Sequence, residues 1–246
     1  MPVRPRLADG LEGVEFERAI DQVGSYAAGL ITPGMRLGLG TGRTTAAFLR
    51  ALAPRLSADF KVVAVCTSTA TEQQARALGI EVVASTELPL DLDVDGADEI
   101  DGQLNLIKGA GGAMVREKVV AERSRRFWVI ADSSKRVGRL GELRPVPVEV
   151  LPFDWEGTKA RIERATGGQL ERRGGDHPFV TDNGNYVLDL TYQSTRLQPF
   201  RLVRELAAIS GVIGHGLFLR TATAALVSDG TRLMIMGDLG RERDLS

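Results

Sequence analysis

Apolar residues recur along this chain with two alternating spacings. Over residues 15–30 they fall at Phe16, Ala19, Ile20, Val23 and Ala27, the three-and-four rhythm of an amphipathic helix. Residues 35–40 (MRLGLG) are instead a short apolar run ending in glycines, which predicts a buried strand. Helical spacing returns over 41–52, with Phe48, Leu49 and Leu52 as the inner face. The alternation continues with a strand at 61–65, a helix at 71–78, strands at 81–84 and 90–94, a helix at 113–123 and a strand at 127–131. Continuously apolar strands separated by helices predict an α/β fold with a mostly parallel, Rossmann-like sheet flanked by helices.

Near Gly141 the rhythm changes. A strand at 147–153, a helix at 155–166 and a strand at 169–173 precede the turn-rich TDNGN of 181–185. The strand YVLDL, a helix at 197–209 and a strand at 212–219 complete a βαββαβ order, the ferredoxin-like split arrangement. ATAALVSD and TRLMIM then return to the main sheet. The expected division is a Rossmann-like catalytic domain of 1–140 plus 219–246, with a small α+β domain inserted at 141–218. The first thirteen residues are polar with Pro and Gly and read as a loose lead-in.

Composition narrows the function classes. With 246 residues, 43% hydrophobic and 26% charged, the chain has the make-up of a soluble globular protein. A net charge of −1 gives no general pull toward nucleic acid or an anionic membrane. No apolar run reaches the length of a membrane span, and the N-terminus lacks the apolar core of a secretory signal. The single cysteine, Cys66, rules out an intrachain disulfide framework and fits a reducing, cytoplasmic compartment. The two histidines, His177 and His215, stand 38 residues apart with no cysteine cluster. Asp91, Asp93, Asp95, Asp98 and Asp101 are close enough in sequence to suggest a carboxylate metal site. An acidic loop that is solvated or hydrogen-bonded is the favoured reading, so no metal is expected.

Three segments at the carboxyl ends of predicted strands carry the candidate chemistry, because open α/β sheets bind ligands there. GLGTGRTT combines a tight turn with a helix start whose N–H groups suit an anion, with hydroxyls from Thr41, Thr44 and Thr45. It also reads as an ordinary strand-to-helix turn. A dinucleotide fingerprint fails because Arg43 takes the place of the third glycine and Cys66, Thr67 and Ser68 close the second strand without an acid. No GxxxxGK[ST] occurs, so a single phosphate is the better ligand. DGADE sets Asp95 and Asp98 around a Gly-Ala turn, either as a site or as a solvated loop. KGAGGAMVREK places Lys108 beside glycines and Glu117 in the first turns of a helix, as a base or as a helix-dipole residue. Together a phosphate seat, two aspartates, a lysine and a glutamate suit proton transfer next to a carbonyl, with a cation holding the resulting enediolate. That chemistry calls for no cofactor. Nucleophilic alternatives fit less well, since there is no GxSxG and Cys66 has no sequence-evident histidine partner. The residues point to sugar-phosphate isomerisation.

At this point the chain resembles type A ribose-5-phosphate isomerases over most of its length, from about Glu15 to Met236. The resemblance rests on GLGTGRT, Thr67 to Thr71, DVDGADEID, KGAGGAMVREK, IADSSK, PVEVLP, TDNGN and the GLF of Gly216 to Phe218. It implies interconversion of ribose 5-phosphate and ribulose 5-phosphate through an enediolate without metal, in the non-oxidative pentose phosphate pathway. By motif, Glu117 is then the base that moves the proton between C1 and C2. Lys108 sits by the enediolate oxygens, while Asp95 and Asp98 contact sugar hydroxyls and assist ring opening. Substrate-binding positions implied in the same way are Thr41, Gly42, Arg43, Thr44, Asp95, Gly96, Ala97, Asp98, Lys108, Gly109, Ala110, Gly111 and Lys135. The resemblance also implies a homodimer or homotetramer with a pentose phosphate as its small-molecule partner. Two positions depart from the family pattern. Arg43 stands where the first loop usually has serine, and Ala110 where the lysine loop often has glycine.

Two rival functions share related folds. A non-catalytic sugar-phosphate sensor would keep binding without turnover, but such proteins normally carry a DNA-binding module, and the residues before the first helix are too few for a helix-turn-helix. An amino-sugar-phosphate deaminase or coenzyme A transferase is the other; a catalytic histidine would favour the deaminase, but His177 and His215 both lie in the small domain.

Overall fold

The computed structural model describes residues 11, 13–84, 88–192 and 197–245, so nearly all of the expected lead-in lies outside the described residues. In chain order the elements are α1 (Gly13–Gly29), β1 (Arg36–Leu39), α2 (Arg43–Leu52), β2 (Val63–Cys66), α3 (Thr69–Ala77), β3 (Glu81–Val82) and β4 (Leu92–Asp95). There follow β5 (Glu99–Ile100), β6 (Leu106–Ile107), α4 (Met114–Glu122), β7 (Phe127–Asp132), β8 (Val146–Val150), α5 (Trp155–Thr166) and β9 (Gln169–Arg172). The last are β10 (Tyr186–Thr191), α6 (Pro199–Ala207), β11 (Val212–His215), β12 (Leu217–Phe218), β13 (Ala224–Ser228) and β14 (Leu233–Gly237).

The described chain divides into two compact units. One runs through Ala97 and adds Arg116–Lys135 and the chain from Arg220 onward; the other comprises Asp98–Val115 and Arg136–Leu219. The first holds a seven-stranded sheet in the order β14-β13-β7-β4-β1-β2-β3. Every pairing in it is parallel except β13 with β14. Helices cover the sheet, so β7 is buried at all six of its residues and reads as an unbroken apolar run. The α1 stripe of Ala19, Ile20, Val23 and Ala27 is the buried one. The strand order reverses between β1 and β4, which makes the space beyond their carboxyl ends the topological switch point.

The second unit contains a four-stranded antiparallel sheet ordered β11-β8-β10-β9, which is the fourth, first, third and second strand of the βαββαβ run. Val146, Val148 and Val150 of β8 join Ile162, Leu188, Leu202 and Leu206 in its core. The expected fold class, a Rossmann-like sheet with a ferredoxin-like module, is the one the chain adopts. A three-stranded sheet, β12-β6-β5, is the feature outside that expectation. β5 and β6 are two residues each, too short to show a period. The predicted single strand 212–219 is two strands. β11 pairs with β8 through an irregularity between Val212 and Gly214, and β12 leaves to pair with β6. This unit takes in Asp98–Val115 as well as Arg136–Leu219, whereas the sequence division took the single stretch 141–218.

Glu99 shows how a loop in this unit is fixed. Its side chain is fully buried, and its two oxygens accept N–H groups from Gly141 at 2.6 Å, Leu143 at 2.6 Å and Arg144 at 2.7 Å. Burial pushes the carboxyl above its ordinary pKa while the three donors pull it back. Glu99→Ala would leave three loop N–H groups without their acceptor. We expect a stability loss of about 3 kcal/mol in urea titrations of the variant against the parent.

Candidate active site

In the seven-stranded unit, β1 and β4 run side by side with Leu39 opposite Val94, so Gly40 and Asp95 come level at the switch point. The Asp95 carboxylate is fully buried and lies where a side chain at residue 40 would be, since a Cβ there would sit 1.8 Å from Oδ1. Only glycine leaves that space. Oδ1 accepts the N–H of Thr41 at 3.1 Å and of Gly96 at 2.6 Å. The Thr41 hydroxyl shares a hydrogen bond of 2.8 Å with that of Thr67, and the Thr71 hydroxyl donates to the Gly40 carbonyl at 2.8 Å. Gly42, at φ 116°, is outside the helical region, so the helix starts at Arg43 and not at 41. No side chain caps α2 behind Gly42, so its first turn presents backbone N–H groups as an anion seat would.

The other predicted residues of this unit separate into those near the switch point and those turned away. Arg43 extends toward α1, where its guanidinium pairs with Glu17 and lies 4.0 Å from the Phe16 ring centroid. Thr45, the third hydroxyl expected in this loop, is buried within α2. Lys135 closes a short 3-10 turn directly after β7, and the Asp132 carboxylate anchors that turn through the Ser134 N–H at 3.0 Å. Glu117 lies in the first turn of α4 at 4% exposure, deeper than a glutamate that merely complements a helix dipole at the surface. Next to it, burial pushes the Lys118 ammonium down to about 8, with Glu122 one turn on acting the other way.

In the second unit the lysine loop is held at several points. The Lys108 N–H donates to the Gly216 carbonyl at 2.8 Å, and its side chain, 3% exposed, carries the ammonium 5.6 Å from the Phe218 ring centroid. A Cβ on Gly216 would meet the Lys108 carbonyl oxygen at 2.0 Å. The GLF motif therefore lets β12 lie against the lysine backbone and supplies an aromatic face to its charge. Asp98 accepts the Ala110 N–H at 2.9 Å. Ala110 is outside the left-handed region, so alanine in place of glycine brings no backbone strain.

The acidic residues that suggested a metal have other occupations. Asp91 accepts from the Arg36 N–H and guanidinium, and Asp101 from the N–H groups of Gln103 and Asn105. Among the described residues no three His, Cys, Asp or Glu side chains are grouped to hold a metal.

The family model for ribose 5-phosphate isomerase A (phosphoriboisomerase A) matches residues 63–231. The ribose-5-phosphate isomerase A of Cereibacter sphaeroides is 43% identical over 255 residues, covering 100% of this chain and 98% of its own. The chain belongs to the ribose-5-phosphate isomerase A family. It is an isomerase, as its motifs imply. The ribose-5-phosphate isomerase A of Bradyrhizobium diazoefficiens is 43% identical over 228 residues, 87% of this chain and 93% of its own. Among solved structures, the ribose 5-phosphate isomerase A of Methanocaldococcus jannaschii matches with a TM-score of 0.84 at 33% identity, over 90% of this chain and 99% of its own. A D-ribose-5-phosphate isomerase in complex with phospho-erythronic acid matches with a TM-score of 0.82 at 34% identity, over 89% of this chain and 98% of its own.

Sequence reasoning missed several residues that hold the candidate residues within each unit. Thr67 and Phe218 lie within motifs that were noticed, but their partners are 26 and 110 residues away. Arg173 and Asp189 carry no motif. The one available signal was Asp189 inside the apolar strand YVLDL, because a carboxylate there needs a partner.

Two outcomes follow for this region. Gly40→Ala forces the Asp95 carboxylate aside, so turnover should fall more than tenfold, with about 1–3 kcal/mol of stability lost to overpacking. Lys118 titrates lower in the fold than in the unfolded chain, so between pH 8 and about 10.4 the unfolded chain binds the extra proton and stability rises with pH. Urea midpoints at pH 8 and 10 should show that rise in the parent and a smaller one in Lys118→Met.

Proposed function

We propose that this chain interconverts ribose 5-phosphate and ribulose 5-phosphate by carboxylate-mediated proton transfer through an enediolate, with no metal required. In the open-chain aldose, the Glu117 carboxylate takes the proton from C2. The C2–H electron pair forms the C1–C2 double bond, and the C1 carbonyl pair moves onto O1. A proton passes from O2 to O1, Glu117 returns its proton to C1, and the C2 carbonyl of the ketose remains. The Lys108 ammonium offsets the negative charge on the enediolate oxygens, a role that needs a cation with little water around it. Asp95 and Asp98 contact the sugar hydroxyls and assist ring opening. Thr41, Gly42, the Arg43 backbone, Thr44, Gly96 and Ala97 contact the substrate, as do Gly109, Ala110 and Gly111. Lys135 and the first-turn N–H groups of α2 receive the phosphate.

The observation that carries this reading is the burial of Glu117 at the start of α4 in a chain of this family. A carboxylate removed from bulk water can reach a carbon acid without first shedding a full hydration shell. The relative found with phospho-erythronic acid adds support, because that acid's carboxylate has the two-oxygen shape of an enediolate end. The reading extends to a cytoplasmic enzyme of the non-oxidative pentose phosphate pathway that works as a homodimer or homotetramer. Among the described residues no helix is long and apolar enough to cross a membrane.

Chelator-treated protein should convert ribose 5-phosphate to ribulose 5-phosphate at an undiminished rate. Glu117→Gln should lower kcat by at least about 10³-fold while phospho-erythronic acid still binds. Full turnover in that variant would remove Glu117 as the base. Binding without turnover in the parent would mark the chain as a sugar-phosphate sensor on the same fold.

A further inference from the structure

The lysine loop contains three glycines within four residues, Gly109, Gly111 and Gly112, and such a segment has much conformational freedom to lose. Part of that freedom is removed within the loop, where the Gly112 N–H donates to the Gly109 carbonyl at 2.9 Å, and part by one side chain outside the motif. Arg173 directly follows β9, and its N–H joins the sheet by donating to the Val187 carbonyl at 2.9 Å. Its guanidinium makes a two-pronged pair with Asp189 of β10, Nε to Oδ2 at 2.9 Å and Nη2 to Oδ1 at 2.5 Å. The remaining nitrogen, Nη1, donates to the carbonyls of Gly109 at 2.8 Å and Ala110 at 2.9 Å. Both side chains are largely buried, at 19% and 22% exposure.

The consequence follows from peptide geometry. The peptide groups of this loop are trans, so the carbonyl and N–H of each point in opposite directions. The Gly109–Ala110 peptide is gripped at both ends, its carbonyl by Arg173 and its N–H by Asp98 at 2.9 Å. In the next peptide Arg173 holds the Ala110 carbonyl, which turns the Gly111 N–H away from the guanidinium at an exposed residue. We propose that Arg173, held by Asp189, is a positioning residue that aims the Gly111 N–H at an oxygen of the substrate and keeps Asp98 and Lys108 in fixed register along the loop. The inference rests on the proposed roles of Asp98 and Lys108. The planar guanidinium is essential to it, because an ammonium cannot engage a carboxylate fork and two carbonyls in one plane.

The test compares Arg173→Ala, Arg173→Lys and Asp189→Asn with the parent. Titration with phospho-erythronic acid counts intact sites, and steady-state kinetics with ribose 5-phosphate gives kcat and KM. Arg173→Ala should bind the acid at full stoichiometry, lose about a hundredfold in kcat with KM within about twofold, and regain turnover on adding millimolar guanidinium that leaves the parent unchanged. Arg173→Lys should be similarly slow and show no such rescue, and Asp189→Asn should lose about tenfold. If Arg173→Ala does not fold, Asp189→Asn decides by the same kcat and KM comparison. The proposal is overturned if the variants keep kcat within twofold, or lose it only in proportion to lost stoichiometry with no response to guanidinium. Glu117→Gln run alongside separates the two levels: if it turns over normally the base assignment is wrong, whereas an inactive Glu117→Gln beside a fully active Arg173→Ala refutes the positioning role alone.

Discussion

A carboxylate drawn from water needs donors, and along residues 95–101 those donors include backbone N–H groups of loops. Asp95 gathers Thr41 and Gly96, Asp98 gathers Ala110, Glu99 gathers Gly141, Leu143 and Arg144, and Asp101 gathers Gln103 and Asn105. Four acids within seven residues thus fix four separate pieces of irregular backbone. Loops of this length would otherwise sample many conformations, and each fixed residue costs on the order of 1–2 kcal/mol of backbone entropy. Concentrating the anchors in one short acidic stretch ties the shape of the loops to the position of β4 and β5.

The same anchoring separates structural from chemical duties. Asp95 uses one oxygen to define the loop after β1, and the absence of a side chain at Gly40 is what makes room for it. Lys108 depends on a different arrangement, with its backbone paired to Gly216 and its ammonium facing Phe218. Glu117 and Lys108 are each almost fully buried. Charges in such surroundings interact more strongly with a developing enediolate than they would in water, provided their positions are set before the substrate arrives. In the proposed mechanism, preorganisation by hydrogen-bonded loops is therefore a requirement and not an addition.

Much of this was legible in the residue pattern. Long apolar periods predicted the parallel sheet, the helices around it and the βαββαβ module. The acidic and lysine-glycine motifs are where the proposed chemistry is assigned. What the pattern hid has common physical causes. β5 and β6 are too short to have a period, and the break between β11 and β12 depends on pairing partners far away in sequence. From its place in the first loop the Arg43 side chain could reach a phosphate or point outward, and Glu17 and Phe16 on α1 are the partners that take it. Arg173 reaches a carbonyl 64 residues away, a contact that no local spacing encodes.

The central claim is that a carboxylate carries the proton between C2 and C1 of the sugar. Isomerisation of ribose 5-phosphate in deuterium oxide, followed by mass spectrometry and NMR of the ribulose 5-phosphate formed early in the reaction, tests it most directly. A proton held on Glu117 exchanges with solvent during some turnovers, so the account predicts deuterium at C1 of the product. Complete retention of the original hydrogen, with no deuterium at C1 at any extent of conversion, would contradict it and favour a direct hydride shift.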